Sequence, residues 1–242
     1  MRIGTCGRYL RERGIAAAIV VSPANMFYLT GLSLTPHERL AAVLVAADEK
    51  LLVVVPDFER DRALEFLQSR QILAWRDGED PLATLVGGLR VLGVGPGARL
   101  GVEKGRFTLD LADRLRAAFH KLEYGDVSPL FVRMRARKSE EEIACIREAC
   151  RITVAAIGEV LSFIRPGATE LEVAARLDLL LASAGSSGSA FRTTVLSGVR
   201  SASPHATSSS KEISRGEVVV IDVGGTYCGY CADVTRTVVV GP

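Results

Sequence analysis

Over residues 1–125, short runs of Val, Ile and Leu alternate with longer stretches of helical character, and this alternation restricts the leading half to an α/β architecture. The apolar runs are "IAAAIVV", "RLAAVLVA", "KLLVVV" and "RLGVE", and the helical stretches lie around residues 58–69 and 107–119. Only "ADE" separates the second run from the third. That gap is too short for a crossover, so the two strands form a hairpin and the sheet is mixed. The segment "GVGPG" lacks the Lys-Ser/Thr of a phosphate loop and the spacing of a dinucleotide fingerprint, so it reads as a turn.

A basic, extended-looking stretch, "SPLFVRMRARKSEEE" at residues 128–142, separates this pattern from a different one. The division is placed there, with one domain over 1–127 and a second over 128–242. Ser139-x-x-Glu142 and Thr169-x-x-Glu172 are capping boxes, each opening a helix. The first helix continues through Ile143, Ile146, Val154, Ile157 and Leu161 to about Phe163 and is broken by "RPG". The second runs to "AGSSGS". From Ala190 the chain turns to strand and loop. The Ser-rich stretch "SASPHATSSS" reads as a loop free to move, and "VVVIDVGG" with "YCADVTRTVVVG" forms a second hairpin.

At 242 residues and 48% apolar content the chain can bury real cores, as one large domain or two small ones. Thirty basic against 28 acidic residues leave a formal charge of +2, which gives no electrostatic reason to expect nucleic acid or anionic membrane as partner. The N-terminus has no secretory apolar core and no run approaches the ~18 apolar residues of a membrane helix. Five cysteines are an odd, sparse set that fits reduced thiols. A cytoplasmic protein is expected. Cys228-Gly-Tyr-Cys231 has redox or zinc spacing, but alternation along a strand accounts for it equally well.

The chemistry concentrates in "VVVIDVGGTYCGYCADVTRT", residues 218–237. Ten residues separate Asp222 from Asp233, which in a hairpin with a short even loop makes them cross-strand partners with Cβ atoms about 5 Å apart. Two carboxylates so placed repel, and a shared proton or a cation between them relieves the repulsion. Hard divalent cations accept such oxygens. The competing reading is an Asp that caps a turn or is simply solvated beside Gly. Against it, the run "VVVI" carries Asp222 into a core, where a charge needs a partner.

This segment resembles the first metal-binding hairpin of the metal-dependent Xaa-Pro peptidases, prolidase and aminopeptidase P, of the pita-bread family. "PANMFYLTG" at residues 23–31 resembles that family's N-terminal signature, and "RMRARKSEEEI" resembles the junction at which its catalytic domain begins. The resemblance implies an α/β (α+β) chain: a mixed-sheet N-terminal domain followed by the first half of a pita-bread catalytic domain. It implies that Asp222 binds one of two divalent ions (Mn, Co or Zn), that Asp233 bridges both, and that His205 in "SPHA" contacts substrate or stabilises the transition state. Thr235 and Arg236 belong to the same signature and read here as strand packing and a structural ion pair.

The family's later His and two Glu ligands, and its usual general base, have no counterpart up to Pro242. The expectation is therefore a shortened, inactive form with weak or absent metal. Its last strand leaves an apolar edge open to a second copy, as in a homodimer. The expected reaction is hydrolysis of the bond between a first residue and proline, in a dipeptide or a longer peptide. Two alternatives remain: a non-catalytic binding protein of the same fold, and a metal-free creatinase-type amidinohydrolase, which the Asp pair disfavours.

Overall fold

A computed structural model describes residues 2–34 and 38–241. Its contacts divide the chain into two units, residues 1–137 and 138–242.

The first unit is a six-stranded mixed sheet between two helical layers. Its strands are β1 (Ala17–Val20), β2 (Ala42–Ala46), β3 (Leu51–Pro56), β4 (Ile72–Trp75), β5 (Arg99–Val102) and β6 (Glu123–Asp126), in the order β4-β3-β2-β1-β5-β6. β2 pairs antiparallel with β1 and β3 across the short "ADE" connection, whereas β4, β5 and β6 join in parallel. The helices are α1 (Arg2–Glu12), α2 (Pro23–Thr30), α3 (Arg60–Leu64), α4 (Pro81–Val91), α5 (Leu109–Ala118) and α6 (Ser128–Ala136). β1, β2 and β3 are buried along their whole length, as strands covered on both faces must be. Leu10, Met26, Val43 and Phe131 pack on one face, and Leu44, Leu85, Leu89 and Leu115 on the other.

The stretch read as extended from residue 128 is helical. α6 opens with Pro129 in its first turn and sinks Leu130 and Phe131 into the first core, so the units divide at 137/138 and not at 127/128. The Arg-rich sequence masked two buried apolar residues that anchor the helix. The fold also explains why two signature segments occur together. Tyr28 of α2 donates its hydroxyl to the Met134 carbonyl at 3.1 Å, and Arg135 donates to the Asn25 side-chain oxygen at 3.0 Å. Buried Glu103 accepts the Val21 and Ser22 N–H groups at the start of α2, a capping role that Ser22 itself does not perform. Gly31, left-handed at φ 78°, ends that helix. The "PANMFYLTG" segment thus works as structure.

The second unit sets α7 (Glu140–Val160) and α8 (Glu170–Ser183) against one face of a three-stranded antiparallel sheet. Its strands are β7 (Thr194–Ser197), β8 (Val218–Val223) and β11 (Val234–Val239), in the order β11-β8-β7. A two-stranded extension, β9 (Thr226–Tyr227) and β10 (Tyr230–Cys231), carries the hairpin tip. Both capping boxes form reciprocally, at Ser139 with Glu142 and at Thr169 with Glu172. Among the described residues no helix is long and apolar enough to cross a membrane.

Candidate metal centre

β8 and β11 pair with Asp222 opposite Thr235 and Val223 opposite Val234, and β9 and β10 continue the same register. Asp233 therefore lies opposite Gly224, so the two aspartates are diagonal neighbours and not the direct cross-strand pair expected from their spacing. That is about 7–8 Å between Cα atoms. The cause is the position of the turn: direct pairing of the two would centre it on Tyr227 and Cys228, whereas it is Cys228 and Gly229 that make the two-residue turn, with φ 47° and 78°, both left-handed, as the tight turn that suits strand twist requires. Alternation along each strand still puts Asp222, Gly224 and Thr226 on one face with Cys231, Asp233 and Thr235.

That face is open. Val219, Ile221 and Val223 are buried against the helices, while Asp222 between them is half-buried and Asp233 is exposed. The sequence expectation of a core-buried Asp222 is corrected accordingly: helices cover only one side of this sheet, so the apolar run "VVVI" alternates in burial instead of being enclosed.

Thr235, read from sequence as packing, donates its hydroxyl to Asp222 Oδ1 at 2.7 Å and fixes that carboxylate's orientation. The signal that could have revealed it was the register, which depends on the turn. Arg236 donates to the Thr235 carbonyl at 2.8 Å; among the described residues it forms no ion pair. Gly224 is required by close approach, because a Cβ there would stand 2.0 Å from the Ala232 carbonyl oxygen. The Gly225 N–H donates to Thr153 Oγ1 of α7 at 2.9 Å.

Neither Asp222 nor Asp233 has an ion-pair partner among the described residues, and no group of three or more His, Cys, Asp or Glu is assembled there. Two carboxylates on one face, with no ion-pair partner among the described residues, form a hard-oxygen donor set that fits a divalent cation in part.

His205 is exposed, in the segment that joins β7 to β8. That segment, expected to be free, is tied at both ends by Glu170, which is 0% exposed. One carboxylate oxygen accepts the Ser197 N–H at 2.8 Å and its hydroxyl at 3.1 Å. The other accepts the Ser209 N–H at 3.0 Å and its hydroxyl at 2.8 Å. Arg200 Nε lies 3.3 and 3.2 Å from the two oxygens, and its other end donates to the Thr207 carbonyl at 2.6 Å. Burial by itself would raise the Glu170 carboxyl, but the hydrogen bonds from Ser197 and Ser209 outweigh it and hold it below the usual carboxylate range. Sequence reasoning passed over Glu170 because it follows a capping Thr and reads as an ordinary first-turn acid.

Residues 2–137 match the creatinase/prolidase N-terminal domain, and residues 144–242 match metallopeptidase family M24. An uncharacterized peptidase of Staphylococcus aureus is 31% identical over 232 residues, 96% of this chain and 64% of that one. Among solved structures, a prolidase from Thermococcus sibiricus superposes with a TM-score of 0.89 at 28% identity, covering 100% of this chain and 65% of that one. An Xaa-Pro dipeptidase from Bacillus anthracis superposes at 0.84 and 28% identity, covering 100% and 65%. The chain thus spans about two thirds of the length of each. With its mixed-sheet unit leading into a partial pita-bread fold, it belongs to the family that joins a creatinase/prolidase N-terminal domain to a family M24 metallopeptidase domain.

Proposed function

We propose that this chain serves metal-dependent hydrolysis of the peptide bond between a first residue and proline. The observation that carries the reading is the open hairpin face, on which Asp222, braced by Thr235, and Asp233 present carboxylate oxygens with no basic partner among the described residues. The prolidase and Xaa-Pro dipeptidase names of the structures it resembles supply the substrate class.

In this reading Asp222 and Asp233 would be the residues that hold divalent cations (Mn, Co or Zn). Such cations polarise the scissile carbonyl and lower the pKa of a bound water. Neither aspartate transfers a proton. Thr235 keeps Asp222 turned toward the site. His205, on a segment whose ends Glu170 secures, contacts the substrate.

Two carboxylates fill only part of the roughly six positions of an octahedral oxygen site, so these 242 residues alone hold metal weakly and turn over slowly or not at all. Among the described residues β11 is an edge strand, with Val239 63% exposed, and in this reading a second copy covers that edge in a homodimer. Five free cysteines fit a cytoplasmic location.

The test is hydrolysis of an Xaa-Pro dipeptide and a matched Xaa-Ala dipeptide with and without added manganese, cobalt or zinc, in the wild type and Asp222→Asn. Any turnover should need metal, be confined to the prolyl substrate and vanish in the variant. Metal-independent turnover, or equal turnover of both peptides, would contradict the assignment.

A further inference from the structure

Cys228 and Cys231 have the spacing of a redox pair, but the hairpin sends them to different surroundings. Cys231 sits on the carboxylate face, its Sγ 3.8 Å from Thr226 Oγ1. Cys228, at the first turn position, is exposed and lies on the tip that packs on α7, beside the half-buried Cys145, whose thiol it perturbs.

Two further contacts fix this approach. Tyr230 donates its hydroxyl to Glu142 Oε1 at 3.0 Å, and the Gly225 N–H reaches Thr153 Oγ1. Glu142, Cys145 and Thr153 recur at whole helical turns and share the face of α7 that receives the hairpin. The thiol pair is therefore flanked by hydrogen bonds that hold the hairpin tip against α7.

We propose that Cys145 and Cys228 form a reversible disulfide when the protein meets a hydroperoxide, fastening the tip of the carboxylate hairpin to α7. Solvent reaches Cys228 first. Its thiolate sulfur attacks the outer oxygen of the hydroperoxide, the O–O bond breaks, the alcohol (or water, from hydrogen peroxide) leaves, and Cys228 becomes a sulfenic acid. The Cys145 sulfur then attacks the Cys228 sulfur. The S–O bond breaks, the S–S bond forms, and the oxygen departs as water with the Cys145 proton. Two thiols lose two electrons and one peroxide gains two. Burial first, and then the adjacent Cys228 thiol, push the Cys145 thiol up, which suits it to the resolving role and not to first attack. The inference stands apart from the proposed peptidase activity, since it needs neither metal nor substrate.

The experiment treats the folded 242-residue chain with hydrogen peroxide, blocks remaining thiols with an alkylating agent and maps tryptic peptides without reduction. The thiol count should fall from five to three, and peptide 139–147 should appear joined to peptide 216–236. The link should persist in Cys231→Ser, be absent in Cys228→Ser, and be released by dithiothreitol. In guanidinium the same treatment should scatter the pairings. The proposal is overturned by a link internal to peptide 216–236, by over-oxidised Cys228 with peptide 139–147 free, by disulfide-linked dimers, or by the 145–228 link forming as selectively in the unfolded chain.

Discussion

Replacing Glu170 by Gln removes one charge and almost no volume, and the structure sets the cost. Both Glu170 oxygens accept, one from Ser197 and the other from Ser209, and each receives a backbone N–H that cannot rotate away. An amide offers one oxygen. One of the two backbone donors must then face an NH2 group, and a buried donor without an acceptor costs about 1–3 kcal/mol. The charge-assisted bonds to the hydroxyls and to Arg200 weaken as well, and the total reaches about 3–5 kcal/mol, the usual cost of breaking a buried charged network. Far-ultraviolet circular dichroism during urea unfolding measures the loss, and hydrogen exchange at the Ser197 and Ser209 amides locates it.

The pH dependence follows with a definite sign. Because the Glu170 carboxyl is held below its unfolded value, its contribution is fully present above the ordinary carboxylate range and is lost as pH falls through the depressed folded value. The difference between wild type and Glu170→Gln should therefore be large at neutral pH and shrink in acid. A neutral-pH difference under about 1 kcal/mol, or one that grows in acid, would refute this account of the network.

Gly224→Ala should cost about 3 kcal/mol or more, since its Cβ would meet the backbone oxygen of Ala232, which has no rotamer to yield. Thermal melting checks the cost, and the variant should also lose metal binding with the hairpin register. Thr235→Val should leave stability within about 0.5 kcal/mol but weaken cation binding about tenfold by freeing the Asp222 carboxylate, as titration calorimetry would report.

Local chemistry in the sequence predicted what local chemistry controls. The capping boxes at Ser139 and Thr169, the β2–β3 hairpin and the helix stop after residue 163 all depend on residues within a few positions of one another. α6 escaped because its amphipathic signal is two residues, Leu130 and Phe131, among arginines, and its stability comes from a core built by distant strands. α1, β4 and β6 escaped for a similar reason: their burial is contributed by partners remote in sequence.

At the candidate centre, residue type and motif singled out Asp222, Asp233 and His205 as candidates, but gave no geometry for them. A two-residue turn at Cys228–Gly229 shifts the register so that Thr235, and not Asp233, stands opposite Asp222. Burial of Asp222 was misjudged because a run of Val and Ile does not disclose whether one face of the sheet or both are covered. Glu170 and the approach of Cys145 to Cys228 are products of tertiary packing, and no short-range pattern announces them.

We propose that Asp222 and Asp233 together present a cation site on one hairpin face. Titration calorimetry of manganese into the purified chain, beside Asp222→Asn and Asp233→Asn, tests it most directly. Weak but saturable binding is expected in the wild type and should be lost in each variant while circular dichroism stays unchanged. Binding of equal strength in the wild type and both variants would place the cation elsewhere and contradict it.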